Sequence, residues 1–287
     1  MSPLGSLKSI RETMEKHGLY AKKQFGQNFL FDANVLKNIA DAAKLAETSA
    51  VLEIGPGLGG LTEVLAGRCA VLAYEIDKDL VPILKEHFHD APHVTILERD
   101  FLKSDIDADI AAHLPDIADI ALVANLPYYI TTPILMKVLE TSKKVKRMIV
   151  MMQLEVAQRI VSKPGTKDYN ALSIVIQYRA KARQMFKVPR TVFLPAPNVD
   201  SAVVELVMKE TRALPEAKEE AFFRFAHDAF RQRRKTLVNN LLVQPSTLTR
   251  TAVETALAAM GLTLDIRGEQ LSVERFLELF SLLENAR

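Results

Sequence analysis

Residues 51–60, Val-Leu-Glu-Ile-Gly-Pro-Gly-Leu-Gly-Gly, set a short apolar run directly against four glycines in six positions, and Leu58–Ala66 then reads as a helix. Glycines at such a junction allow a tight turn and let the backbone approach a ligand closely. The same alternation continues down the chain. Val71–Glu75, Val94–Leu97, Ile120–Ala124 and Met148–Met152 are strand candidates, and a stretch from Lys78, Pro133–Glu140 and Leu154–Val161 read as helices between and after them. Strands and helices alternating at this spacing predict an α/β fold with a mostly parallel sheet covered on both faces. Ala171–Tyr178, Gln184–Val188 and Ala202–Val207 are β-rich and are interrupted by a proline-bearing loop, Val188–Val199, which predicts an antiparallel edge. Beyond Lys209 strand signals vanish. Glu216–Phe230, Lys235–Leu242, Leu248–Met260 and Val273–Leu283 read as amphipathic helices of a small all-α C-terminal domain. The expected division is a basic N-terminal arm over 1–30, a sheet domain over 31–209 and a helical domain over 210–287.

Composition narrows the classes. With 48% apolar and 25% charged residues the chain is ordinary globular protein, not a disordered one. Its single cysteine, Cys69, excludes a disulfide framework and a cysteine-based zinc site. His87, His89 and His93 cluster without acidic or cysteine partners at ligand spacing, so no metal is expected. No uninterrupted apolar run is long enough to span a bilayer, and the first 18 residues lack an apolar signal core. The expectation is a cytoplasmic protein without membrane contact. Charge is distributed unevenly. Residues 51–140 carry six Lys/Arg against fifteen Asp/Glu, whereas residues 141–190 carry twelve against two. Arg231, Arg233, Arg234 and Lys235 fall within five positions. A basic block beside an acidic one reads as a polyanion-binding face next to a separate pocket.

Three places carry chemistry. Glu75 ends the strand after the glycine loop, 20 residues beyond Gly55. A carboxylate there can accept hydrogen bonds from both hydroxyls of a ribose. Gly55, Gly57 and Gly60 also satisfy the dinucleotide fingerprint, so the loop fits S-adenosylmethionine, a nicotinamide or flavin nucleotide, or a plain tight turn. Glu53, two residues before Gly55, suits the amino acid portion of the first of these. Asp100, just past the next strand, can accept from an adenine amino group or serve as a loop cap. Asn125-Leu126-Pro127-Tyr128 follows the strand Ile120–Ala124 at the end where open α/β sheets bind ligands. An exocyclic adenine amine is a poor nucleophile because its lone pair is delocalised into the ring. Asn125 and a backbone carbonyl at Leu126 or Pro127 can hold both of its N–H groups without a strong base. Pro127 fixes φ and presents the carbonyl rigidly, and Tyr128 can stack on the base.

With these motifs on the page, the sequence resembles the rRNA adenine N6,N6-dimethyltransferases, in particular the bacterial small-subunit type. Lys23–Leu30, Leu52–Thr62, Asn125–Tyr128, Gln153–Ala157, Pro164–Tyr169, Phe193–Ser201 and Phe230–Leu237 match the family's segments in the family's order, across almost the whole chain. Leu154 and Val238 depart from it, standing where a lysine and an arginine are usual. The resemblance implies a Rossmann-like class I methyltransferase sheet, S-adenosylmethionine as cofactor with S-adenosylhomocysteine as product, and no metal. It implies a cofactor site of Asn28, Leu30, Gly55, Glu75, Asp100 and Asn125, with the end of the 1–30 arm as a lid. Asn125, Leu126, Pro127, Tyr128 and Phe193 become the catalytic set, Tyr128 and Phe193 as two aromatic faces around a flipped adenine, with packing of its loop against the sheet edge as the alternative for Phe193. Arg231, Arg233, Arg234 and Lys235 become candidate RNA contacts, with packing against Glu219, Glu220 or Asp228 as their alternative. The implied reaction is the double methylation of two adjacent adenosines in the 3′-terminal hairpin of 16S rRNA, on the small subunit or its precursor, by a monomer. The alternatives are a 23S rRNA resistance methyltransferase and a ribosome-assembly or transcription factor that retains the fold.

Overall fold

The computed structural model describes residues 4–243 and 247–285. Residues 1–3 of the expected arm, and residues 244–246 and 286–287 of the expected helical domain, lie outside the described residues. The chain runs α1 (Leu7–Lys16), β1 (Phe29–Leu30), α2 (Ala33–Ala42), β2 (Ala50–Ile54), α3 (Gly60–Ala66), β3 (Ala70–Glu75), α4 (Leu80–His87), β4 (Val94–Glu98), α5 (Ile106–His113), β5 (Ile120–Asn125), α6 (Thr131–Thr141), β6 (Val145–Gln153) and α7 (Leu154–Val161). It continues through α8 (Ala171–Arg179), β7 (Ala180–Val188), β8 (Phe193–Leu194), β9 (Ser201–Met208), α9 (Glu216–Ala229), α10 (Leu237–Leu241), α11 (Arg250–Ala259) and α12 (Val273–Asn285).

Seven strands form one sheet in the order β4-β3-β2-β5-β6-β9-β7. β2, β3, β4, β5 and β6 pair in parallel, and β9 lies antiparallel to β6. The central strands read as continuous apolar runs because both faces are covered. All five residues of β2 and the first five of β5 are buried. The chain steps outward from β2 to β3 and β4, then returns to β5 on the other side of β2. That reversal opens a crevice at the carboxyl ends of β2 and β5, where the glycine loop and Asn125 emerge. The α/β sheet with an antiparallel portion is therefore as expected.

The contacts divide the chain into two units, residues 1–157 with 183–208, and residues 158–182 with 209–287. The C-terminal stretch of the second unit begins at residue 209. Residues 158–182 were expected in the sheet domain and instead belong to the helical unit. The reason is the one secondary structure expected wrongly. Ala171–Tyr178, read as β-rich, is the helix α8. Asn170 caps it by accepting from the Leu172 and Ser173 N–H groups, while the Ser173 hydroxyl accepts from the Asn170 N–H, a reciprocal box. Ile174 and Tyr178 then bury into the core of the second unit with Phe222, Leu257 and Phe276. Capping and packing override the strand preference of Ile174, Val175 and Ile176. Nor is the 1–30 segment a separate arm. Ile10 of α1 is buried in the core of the first unit, and the Leu4 N–H donates to Glu63 Oε2 at 2.8 Å.

The second unit is held at one point by charge. Glu219 on α9 is buried and accepts from Arg179, from Arg212 Nη1 at 3.1 Å and from the Tyr178 hydroxyl at 2.9 Å. Arg179 also lies over the Phe223 ring, 5.0 Å from its centroid. Glu219→Ala takes the carboxylate from beside a buried guanidinium and should cost about 3–5 kcal/mol, measured by urea denaturation at neutral pH. A loss below about 1 kcal/mol would show that the network is not a buried ion pair in solution.

Candidate active site

A cavity of about 340 Å³ opens in the first unit at the carboxyl ends of β2, β3 and β5. The glycine loop forms its floor. Gly57 has φ +61°, and a Cβ there would sit 3.2 Å from the Phe29 ring, so only glycine lets the loop pass beneath β1. The Gly57 N–H donates to Glu75 Oε2 at 3.2 Å, and the Asp77 N–H donates to Glu75 Oε1 at 2.8 Å. Glu75 is thus fixed at the end of β3. Burial holds its carboxyl above the usual range, and the backbone donors only partly offset this.

Glu53 lies on β2 at the base of the cavity, 1% exposed, and its Oε2 has no hydrogen-bond partner. Burial pushes its carboxyl up to about 8, with the Glu75 charge adding to the effect. A buried carboxyl with one oxygen unpartnered, beside a second acid, is a seat that a cation can take as the proton leaves. Asp100 lines the cavity past β4. Its Oδ1 accepts from the Leu102 N–H at 3.0 Å, so it does serve as the cap of the next turn, and its Oδ2 lies 3.7 Å from Lys103 Nζ.

Asn125, Leu126, Pro127 and Tyr128 form the opposite wall. Asn125 Nδ2 donates to the Asn28 carbonyl at 3.3 Å, which leaves Oδ1 as the accepting end of the amide. The Pro127 carbonyl, one of two expected acceptors, is taken by Thr131 Oγ1 at 3.1 Å and the Ile130 N–H at 3.2 Å. Leu126 is the remaining candidate. Tyr128 is half-buried, and its hydroxyl lies 2.6 Å from Ser201 Oγ. Asn28 and Leu30 both line the cavity.

Phe193 does not. It is 3% exposed, sits across from Leu30 in the two-residue ladder of β1 and β8, and belongs to the core of the first unit. Of its two expected roles, an aromatic face toward a base or loop packing, its burial beside the N-terminal segment fits packing. The basic cluster of the second unit is divided. Arg231 pairs with Asp228 at 2.9 Å and donates to the Val243 carbonyl, and Arg233 donates to the Lys167 carbonyl at 2.7 Å. Arg234 and Lys235 are exposed. Among the described residues no group of three or more His, Cys, Asp or Glu is placed to hold a metal, and burial pushes the Cys69 thiol up to about 11. Sequence reasoning missed the contribution of Phe25, Gln27, Ile76 and Tyr129 to the cavity. Tyr129 follows the recognised motif by one residue and is 56% exposed at this wall.

The model of the ribosomal RNA adenine dimethylases matches residues 18–285. The chain belongs to that family. It is 47% identical over 272 residues to "Ribosomal RNA small subunit methyltransferase A" of Anoxybacillus flavithermus, covering 94% of this chain and 92% of that one. It is 48% identical over 280 residues to the protein of the same name from Lactiplantibacillus plantarum, covering 96% and 94%. Among solved structures it is similar to the 23S rRNA methyltransferase ErmE, at a TM-score of 0.69 and 29% identity, covering 90% of this chain and all of that one. A dimethyladenosine transferase from Plasmodium falciparum shares the fold at a TM-score of 0.74 and 24% identity, covering 89% and 97%.

Glu53 supplies a test of the electrostatics. In the unfolded chain its carboxyl ionises near 4.5, whereas in the folded chain it keeps its proton up to about 8. Stability is therefore lost as pH rises between those values. Glu53→Gln should melt higher than the parent at pH 8 and nearly with it at pH 5, both without cofactor. A melting difference independent of pH would show that Glu53 is ionised in the folded chain.

Proposed function

We propose that this member of the family transfers methyl groups from S-adenosylmethionine to the N6 amines of two adjacent adenosines in the 3′-terminal hairpin of 16S rRNA, each amine being methylated twice. The observation that carries the reading is the convergence of the glycine loop, Glu75 and Asn125-Leu126-Pro127-Tyr128 on one cavity. The residues fit the cofactor. Glu75 presents a fixed carboxylate for the ribose hydroxyls, Asp100 lies where an adenine amine can be met, and the unpartnered Glu53 Oε2 suits the ammonium end. Asn28, Leu30 and Gly55 would complete the enclosure. When bound, the cofactor supplies an electrophilic methyl and departs as S-adenosylhomocysteine.

The chain's own contribution is orientation. Asn125 Oδ1 and the Leu126 carbonyl accept the two N–H groups of the target amine, which draws its nitrogen out of conjugation and turns the lone pair toward the methyl. Asn28, by holding Asn125 Nδ2, keeps the amide from flipping. Tyr128, held by Ser201, offers a ring for the base. A base inside a duplex cannot reach such a wall, so the adenosine must leave its stack and the RNA must be gripped elsewhere by shape and phosphate contacts. Arg234 and Lys235, with the basic residues of 141–190, are the candidates for that grip. The curated relatives at 43–48% identity are small-subunit methyltransferases, which favours 16S over 23S rRNA, and the intact Asn125–Tyr128 motif favours an enzyme over a factor that merely keeps the fold. No described helix is long and apolar enough to cross a membrane.

Asn125→Ala should lower single-turnover methylation of unmodified small subunits by about 10²–10³-fold while RNA affinity stays near that of the parent. A near-parental rate would remove Asn125 from the reacting centre. Replacing Arg234 and Lys235 together with Ala should weaken subunit binding and flatten its salt dependence, each lost phosphate contact reducing the slope by ~0.7–0.9. A variant that melts lower but keeps the parental slope would assign the cluster to packing.

A further inference from the structure

One face of the cavity is a segment of the N-terminal region, and it is fastened from outside the cavity. Lys22 Nζ contacts Asp77 Oδ1 and lies 2.6 Å from Asp79 Oδ2, while Gln27 Nε2 donates to Asp77 Oδ2 at 2.7 Å. The Lys22 N–H in turn donates to Gln27 Oε1 at 2.8 Å, so the two residues of the segment brace each other as they grip the same carboxylate. Lys22 Nζ also lies 5.8 Å from the centroid of the Phe25 ring, which lines the cavity. Asp77 is 2% exposed, and its own N–H donates to Glu75 Oε1. A continuous line of polar contacts therefore runs from Lys22 through Asp77 to the carboxylate expected to hold the ribose. Neither Lys22 nor Asp77 lines the cavity.

The segment carries two glycines at positive φ, Gly18 at +60° and Gly26 at +58°. Between them Tyr20 is 82% exposed, and beyond them the Asn28 carbonyl and the short β1–β8 ladder make the next attachments. Burial works to raise the Asp77 carboxyl, but the hydrogen bonds from Lys22 and Gln27 overcome it and hold it below the usual range. In the closed arrangement Gln27 Nε2 and Lys22 Nζ both donate to the Asp77 carboxylate, and these charge-assisted bonds favour closure. Lys22 remains partly exposed, so the fastening is subject to screening by salt.

We propose that Lys22 and Asp77 are positioning residues for methyl transfer: their ion pair clasps residues 18–28 over the cofactor cavity and braces Glu75, so that cofactor exchange requires the clasp to open. The proposal rests on reading the cavity as the S-adenosylmethionine site. Two methylations of one amine require the spent cofactor to be replaced between transfers. A clasp of charge on a partly exposed lysine can open for that exchange, at the cost of the Leu19 and Ala21 contacts with the core.

Amide hydrogen exchange of residues 18–28 in the cofactor-free protein tests the clasp independently of the function. Lys22→Met should speed exchange in this segment at least tenfold, and Lys22→Arg should restore most of the protection. The parent should lose protection there between 50 mM and 500 mM salt, and Lys22→Met should show no further change. Exchange in Lys22→Met equal to the parent would overturn the clasp whether or not the protein binds cofactor. For the link to exchange, Lys22→Met and Asp77→Asn should raise the KM for S-adenosylmethionine by about tenfold and lower kcat by much less, with cofactor dissociation accelerated in parallel. Faster amide exchange with an unchanged KM would leave the contact structural and refute the positioning role. A parent protein that binds no S-adenosylmethionine would refute the function while the hydrogen-exchange result still decided the clasp.

Discussion

A carboxylate cannot be buried alone, and the cavity is organised around that constraint. Glu53, Glu75 and Asp77 lie within 25 positions of one another in the chain and are at most 5% exposed. Glu75 is satisfied by two backbone N–H groups, one from the glycine loop and one from the residue two beyond it. Asp77 is satisfied by side chains from the N-terminal segment. Glu53 keeps one oxygen unpartnered. The three solutions differ in what they ask of the rest of the molecule. Glu75 demands that the glycine loop close on β3. Asp77 demands that residues 22–27 come across the crevice. Glu53 demands either a proton or a cation, and the cavity beside it is where a cation can arrive.

What could be read from sequence was what the chain does locally. The glycine loop, the acidic strand end at Glu75 and the Asn125–Tyr128 run each sit where a strand ends, and the pattern of apolar runs shows where strands end. Contacts between distant segments left no such mark. Lys22 and Asp77 are 55 residues apart, and Leu30 meets Phe193 across more than 160. Nothing in the residues around Lys22 distinguishes it from other lysines of a basic stretch. For Phe193 the prolines around it suited either a ligand face or loop packing, and the N-terminal strand it pairs with was not suggested by residue types alone. The helix at Ala171–Arg179 failed for a different reason. Its β-branched residues were legible, and its Asn170–Ser173 box was also present in the sequence, but the decisive term was a core supplied by helices forty or more residues later.

The Asn125–Tyr128 wall gains precision from the same economy. The Asn125 amide and the Asn28 carbonyl join β5 to the N-terminal segment, and the Pro127 carbonyl is spent on starting α6. The loop thus fixes which of its acceptors remain for a substrate, a selection that composition could not make. In the helical unit, Glu219 gathers Arg179, Arg212 and Tyr178 and so ties α8 to α9, although α8 reaches the unit from an earlier stretch of chain.

The interleaving of the two units has a consequence for synthesis. Residues 158–182 are made before residues 183–208, which complete the first unit, and long before residues 209–287, which complete their own. As the chain leaves the ribosome, residues 171–179 emerge before the helices that bury Ile174 and Tyr178 have been made. The cavity is also incomplete at that point, since β1 has no partner until Phe193–Leu194 has been translated. The first unit therefore has all of its residues once position 208 is made, with the inserted stretch 158–182 still without its partners, and the second is complete only when synthesis ends.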